Sequence, residues 1–227
     1  MNKLYTETAK NNFVIWLISF LCLPISKLLA KLKILPNVIT FFSIFLTIIS
    51  VYYLINNNFF LFSVFFFVAQ LLDFCDGQVA RILKKVNDTA FNFDHFSDVF
   101  KISLIFFSFG LLFNNKNSWI LIFISNFLFL FYIVTHAHVS AYKNQNKIKE
   151  VRKSKEFSFF QYFKLNPILI IYKLCFPVIF SFNAHSVFLF LLVLVDINLI
   201  YFVFFYFNFI FIIRIYKYIK FLLNQKI

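Results

Sequence analysis

Long apolar runs bounded by polar residues dominate the sequence. They cover Pro36 to about Ile55, Phe59 to Leu72 with a polar helical continuation to about Leu83, about Ala90 to Phe113, Trp119 to about Val139, about Asn166 to Phe182, and the stretch after Asn183-Ala184-His185 to about Ile213. A helix of about 20 apolar residues crosses a hydrocarbon core about 30 Å thick. The pattern predicts an all-α integral membrane protein with six transmembrane helices.

The composition excludes a soluble domain. Hydrophobic residues make up 62% of the chain and charged residues only 14%, whereas soluble domains are about 45–50% apolar and about 25% charged. A chain this apolar cannot cover itself with polar surface, so part of its solvent is lipid. Three cysteines lie far apart in apolar runs, where free thiols are the expected state.

The first 35 residues differ from the runs that follow. Residues 1–12 are polar, and residues 13–35 mix apolar positions with Lys27, Lys31 and Lys33 and are interrupted by Pro24. Such a segment suits a helix lying in the membrane interface, with its lysines among the headgroups. We therefore expect residues 1–35 to form a polar N-terminus and an interfacial amphipathic helix, and residues 36–227 to form a six-span membrane domain.

Basic residues alternate sharply between the loops. The formal net charge is +13. Outside the first 35 residues, most of the lysine and arginine lies in the loops after spans two and four and in the C-terminal tail. The remaining loops contain only Lys116. By the positive-inside rule, both termini lie in the cytoplasm. The basic excess is explained by this rule and by anionic headgroups, and the absence of a recognisable binding motif argues against a nucleic-acid partner.

Five of the nine acidic residues fall between Asp73 and Asp98. An acid at the centre of a membrane helix costs about 2.5–3.5 kcal/mol on insertion scales, so these acids need compensation. Asp73 and Asp76 are three residues apart, and Asp94 and Asp98 are four apart, so each pair shares one face of its helix. A short turn joins the two helices, and we expect the four carboxylates to meet at the cytoplasmic end of this hairpin.

Small residues continue both acidic stripes. Gly77 and Ala80 follow the first pair and Ala90 precedes the second, and small residues let membrane helices approach closely. We therefore expect the two hairpin helices to touch along these positions.

Three explanations account for the four carboxylates. Hard divalent cations, which take oxygen ligands, are their natural partners. Salt bridges to Arg81, Lys84, Lys85 or Lys101 could instead neutralise one or two of the acids. A cation transporter is the third, although such proteins usually distribute their acids over several helices.

The acidic segment resembles a family signature. Asp73-x-x-Asp76-Gly77-x-x-Ala80-Arg81, followed after eight residues by Ala90-x-x-x-Asp94-x-x-x-Asp98, is similar to the pattern of the CDP-alcohol phosphotransferases (CDP-alcohol phosphatidyltransferases), with Ala90 in place of the family's glycine. The segment Pro36-Asn37-Val38-Ile39-Thr40 at the start of the first span also resembles a family feature.

The resemblance implies a reaction. A phospho-alcohol group passes from a CDP-linked donor, CDP-diacylglycerol or similar, to an acceptor hydroxyl, and CMP is released. Carried over by position, two divalent cations, Mg²⁺ or Mn²⁺, are held by Asp73, Asp76, Asp94 and Asp98, of which Asp98 also serves as the general base. The donor contacts match Gly77 and Arg81, with Asn37 and Asn87 as weaker candidates. The resemblance also implies a homodimer. We expect the protein to lie in the plasma (inner) membrane with its active site facing the cytoplasm.

A few other polar residues lie outside the signature. His136 and His138 end the fourth span and could approach an acceptor, and the basic run from Lys147 to Lys155 could be loop charge or a pocket for a phosphorylated acceptor. Asp196 falls inside the sixth predicted span without a partner. We expect the aromatic runs of that span to face lipid.

Overall fold

The computed structural model describes residues 13–84, 88–145, 189 and 191–224, and within the helices it leaves out some side chains, including those of Ala90 and Asp94. The described chain is helical throughout and contains no strand. Its helices are α1 (Phe13–Lys31), α2 (Pro36–Ile55), α3 (Phe59–Ile82), α4 (Asp88–Phe113), α5 (Lys116–Gln145) and α6 (Leu199–Asn224). The predicted all-α membrane class is confirmed.

Five of these helices are long and apolar enough to cross a membrane. The qualifying segments are Pro36–Ile55, Phe59–Ile82, Phe96–Phe113, Lys116–Val139 and Leu199–Asn224. The predicted fifth span, at about Asn166 to Phe182, lies outside the described residues, as does the basic run from Lys147 to Lys155.

Short polar turns set the helix boundaries on one side of the bundle. Asn57 adopts a φ of 59° between α2 and α3, and the side chain of Asn58 accepts a hydrogen bond from the Leu61 amide at 3.2 Å. Between α4 and α5, Asn114 has a φ of 41° and the Asn115 side chain accepts from the Ser118 amide at 2.8 Å. Asparagine tolerates the left-handed region and caps helix N-termini, which explains why these turns need no glycine.

Two expectations about helix interruptions were wrong. Pro24 does not interrupt the N-terminal segment, because α1 continues through it and is held by apolar packing of Ile15, Ile18 and Cys22. The sixth span does not run through Asp196. A helical stretch ends at residue 195, the Asp196 side chain accepts a hydrogen bond from the Asn198 amide at 2.9 Å, and α6 begins at Leu199.

Helix α2 is the central element around the acidic residues. It packs along both α3 and α4, whereas within the described part of the chain α3 and α4 make few close backbone contacts with each other. Its contact face carries four buried small polar residues at helical spacing: Thr40, Ser43, Thr47 and Ser50. The hydroxyls of Ser43, Thr47 and Ser50 each donate to a carbonyl of α2 itself. Small residues of this kind let the neighbouring backbones approach closely.

Phenylalanine forms the core on the other side of the site. Phe204, Phe207 and Phe211 of α6 are almost fully buried, whereas Phe202, Phe205 and Phe209 are exposed. Phe204 meets Phe106 of α4 edge-on, with ring centroids 4.9 Å apart. The expectation that the aromatic residues of α6 face lipid was therefore wrong for one face of the helix. That face packs against α4 and α5.

Gly110 of α4 allows α5 to pack closely. A Cβ atom at this position would lie 2.7 Å from Cζ3 of Trp119, closer than carbon atoms can approach without displacement. The indole ring therefore covers the space that any larger residue would need.

We expect Gly110→Ala to destabilise the protein, although alanine favours helix by about 1 kcal/mol over glycine. Overpacking typically costs about 1–3 kcal/mol, so the thermal unfolding midpoint in detergent should fall. The double variant Gly110→Ala with Trp119→Phe should lose less than the sum of the two single changes, because the smaller ring makes room. Additive losses would contradict the steric explanation.

Candidate active site

The last turns of α3 carry the first acidic pair. Asp73 and Asp76 lie on the same helix as Gly77 and Arg81. The carboxylate of Asp76 is buried, whereas the side chain of Asp73 is about 20% exposed. The two acids therefore occupy different environments one helical turn apart.

A hydroxyl of α2 binds the buried carboxylate. Thr40 Oγ1 lies 2.6 Å from Asp76 Oδ2 and 3.2 Å from the Pro36 carbonyl oxygen. A hydroxyl has one hydrogen, and the shorter distance is that of a charge-assisted O–H···O⁻ bond. Thr40 thus offsets part of the cost of burying Asp76.

Lys101 of α4 joins the two helices of the predicted hairpin. Its Nζ forms ion pairs with Asp73 Oδ1 and, at 3.3 Å, with Asp98 Oδ1. The same ammonium donates to Ser43 Oγ of α2 at 3.3 Å. The salt-bridge explanation considered from the sequence is confirmed for this lysine, which contacts two of the four acids.

A cavity of about 60 Å³ lies beside these charges. Its polar lining comes from Gln70, Asp73, Asp98 and Lys101, and its apolar lining from Phe66, Phe74, Ile102, Ile105, Phe106, Leu189 and Phe207. Charged groups and an apolar wall therefore share one cavity at the junction of α3 and α4.

The comparisons agree with this arrangement. The sequence model of the CDP-alcohol phosphatidyltransferase family matches residues 33–196, well over half of the 227-residue chain. The chain belongs to this family. A comparison with curated proteins gives no significant match. Membership supports an enzyme that transfers a phospho-alcohol group from a CDP-alcohol, rather than the cation transporter that the acids alone also allowed.

In this member of the family, Gly77 lies beside the side chain of Arg81. A Cβ atom at Gly77 would meet the Arg81 guanidinium first, with Nη1 at 3.4 Å. Among the described residues, the surroundings of Gly77 are thus an arginine of its own helix and not the backbone of α4. The expected close contact of α3 and α4 along small residues is not found at Gly77, and its Ala90 part lies outside the described side chains.

The remaining site candidates are distributed around the same helix ends. Asp94 lies one turn before Asp98 on α4, but its side chain is outside the described part, and Asn87 is outside it entirely. Asn37 is exposed in the first turn of α2, one turn before Thr40. Among the described side chains, no three acidic, histidine or cysteine residues form a metal-ligand cluster.

Two residues of α2 that take part in this polar network were not predicted from the sequence: Thr40, which binds Asp76, and Ser43, which accepts from Lys101. Thr40 and Ser43 received no role, although their three-residue spacing continues to Thr47 and Ser50 as a small polar stripe in an apolar helix. That stripe is a signal of close packing, but it does not identify which acid a hydroxyl will bind.

His136 and Asp196, which are not part of the signature, lie away from the cavity. His136 packs between Tyr132 and Tyr218, with ring centroids 6.1 and 5.6 Å away. Asp196 lies in the turn before α6. His136 thus contacts aromatic rings of α5 and α6, and neither residue lines the cavity.

We expect Thr40→Val to lower the free energy of unfolding by about 1–3 kcal/mol, because it removes a donor from a buried carboxylate. Thr47→Val is the matched control: the Thr47 hydroxyl is also buried on α2 but donates at 2.8 Å to the Ser43 carbonyl, so its loss should be smaller. Equilibrium unfolding in detergent measures both variants. Equal losses would contradict a specific role for the Thr40–Asp76 hydrogen bond.

Proposed function

We propose that this protein transfers a phosphatidyl or related phospho-alcohol group from a CDP-linked donor, CDP-diacylglycerol or similar, to an acceptor hydroxyl in phospholipid or related biosynthesis. The observation that carries the proposal is the junction of Asp73, Asp98 and Lys101 at one cavity, within the segment that matches the family. The apolar wall of the cavity suits the lipid part of such a donor.

The donor set fits divalent cations. Asp73, Asp76 and Asp98 offer carboxylate oxygens, and the ammonium of Lys101 already occupies a position between two of them. Carboxylate oxygens are the ligands that hard divalent cations take. We propose that Asp73, Asp76, Asp94 and Asp98 hold two cations, Mg²⁺ or Mn²⁺, which when bound neutralise the diphosphate charge and stabilise the leaving CMP.

Each remaining step uses a side chain of the protein. We propose that Asp98, whose side chain is about 35% exposed, accepts the proton of the acceptor hydroxyl as the hydroxyl oxygen attacks phosphorus. The new P–O bond forms while the bond between phosphorus and the CMP oxygen breaks. Arg81 suits the diphosphate, because a guanidinium donates paired hydrogen bonds to phosphate oxygens, and Gly77 lies next to that guanidinium. Asn37 and Asn87 remain weaker candidates for donor contacts.

The membrane arrangement follows from the charges of the loops. Residues 1–35 comprise the interfacial segment and residues 36–227 the membrane domain, in the plasma (inner) membrane. The distribution of lysine and arginine places both termini and the active site on the cytoplasmic side, where CDP-linked donors are available. A homodimer is part of the proposal by family resemblance.

We expect Asp76→Asn to abolish CMP release while leaving a folded membrane protein. Losing one carboxylate removes a metal ligand, whereas the amide still accepts the hydrogen bond of Thr40. The assay is metal-dependent CMP release from CDP-diacylglycerol and a CDP-choline-type donor against a panel of alcohols. Asp196→Asn is the matched control, since it changes an aspartate in a turn away from the cavity. Undiminished CMP release by Asp76→Asn would defeat the metal assignment.

We expect the turns at Asn56 and Lys116 to face outward. The turn at Lys84 and the end of α6 at Asn224 should face the cytoplasm. Single cysteines at these positions, in a chain whose three native cysteines are replaced by alanine, can be treated with a membrane-impermeant thiol reagent on intact cells. Labelling at positions 56 and 116 alone is the expected result. Labelling at position 84 in intact cells would overturn the proposed orientation.

A further inference from the structure

Lys101 is buried in a part of the bundle where lysine is unusual. Lys101 is only 2% exposed. Among the described residues, Asp76 is the only other charged residue that is buried. Lysine is almost never fully buried without a partner, and near membrane interfaces its head normally reaches toward water. Its inward position therefore needs an explanation.

The ammonium of Lys101 is bound by groups from three helices. Asp73 of α3 and Asp98 of α4 provide carboxylate oxygens, and Ser43 of α2 provides a hydroxyl oxygen. Ser43 donates its own hydrogen to the Thr40 carbonyl at 2.9 Å, so its oxygen is free to accept. Three acceptors match the three hydrogens of the ammonium group.

This set of ligands is the kind that a metal cation takes. Two carboxylates and a hydroxyl present oxygen atoms toward one positive charge, and both carboxylates belong to the proposed divalent-cation site. A divalent cation bound between Asp73 and Asp98 could not share that position with the ammonium. Lysine has a flexible four-carbon stem, so its head could move while α4 stays in place.

We propose that Lys101 is a tethered counter-ion, which holds the Asp73 and Asp98 carboxylates together in the metal-free protein and competes with one of the two divalent cations for them. The inference rests on the proposed function, because it takes the acids to be cation ligands. Lys101 is a positioning residue in this scheme, since it acts through the two carboxylates.

The proposal has two separable consequences. Without metal, removal of the ammonium leaves like charges facing each other, so the bundle should lose stability. With metal, the same removal eliminates a competitor, so one cation should bind more tightly. A lysine that merely fills space between helices would give the first effect without the second.

The test compares Lys101→Met with the wild type in detergent. The thermal unfolding midpoint is measured in EDTA and in Mn²⁺, and Mn²⁺ binding is measured from the electron paramagnetic resonance signal of the free ion. We expect a lower midpoint for Lys101→Met in EDTA, a larger rise on adding Mn²⁺, and about tenfold tighter binding at one site. Lys116→Met, which changes an exposed lysine at the start of α5, is the matched control and should behave as wild type.

If Lys101→Met does not fold in EDTA, Lys101→Gln replaces it in the test, because glutamine is neutral but retains a hydrogen-bond donor. We expect Lys101→Gln to show the same tighter Mn²⁺ binding. Unchanged or weaker Mn²⁺ binding in the neutral variants, with metal-dependent CMP release intact in wild type, would overturn this inference alone. Absence of both Mn²⁺ binding and CMP release from the wild type would overturn the proposed function, and this inference with it.

Discussion

Carboxylates at the end of an apolar helix hairpin need partners, and most of the arrangement around the site follows from how they are satisfied. Asp76 is bound by Thr40, and Asp73 and Asp98 are bound by Lys101, which Ser43 also contacts. Two of these three partners, Thr40 and Ser43, lie on α2. The first membrane-spanning helix thus packs along both acidic helices and supplies the hydroxyls that bind Asp76 and Lys101.

The phenylalanine core supports the same cavity from the opposite side. Phe66 and Phe106 belong both to the buried core and to the cavity wall, and Phe207 of α6 joins them. Aromatic rings bury large areas and have few rotamers, so they hold the helices that carry Asp73 and Asp98. The abundance of phenylalanine thus contributes to precise positioning of charged groups as well as to solubility in lipid.

The differences between expectation and structure have local causes. Asp196 was predicted inside a span from hydropathy, but its carboxylate binds the Asn198 amide and lies in the turn before α6. Pro24 was expected to interrupt the first helix, but apolar packing holds α1 on either side of it. Gly77 and Ala80 were expected to face α4, whereas the closest neighbour of Gly77 is Arg81. In each case a tertiary or side-chain contact outweighed a rule based on residue type.

The sequence by itself determined the membrane class, the boundaries of α2, the spacing of the two acidic pairs and the family, because hydropathy and helical periodicity are properties of consecutive residues. It also identified Lys101 as one of four cations that could pair with the acids. Only the tertiary structure showed that Lys101 does so, and that Thr40 and Ser43 complete the polar contacts. Those contacts join residues 28 to 58 positions apart, and such pairing depends on how three helices rotate against one another, which no local pattern encodes.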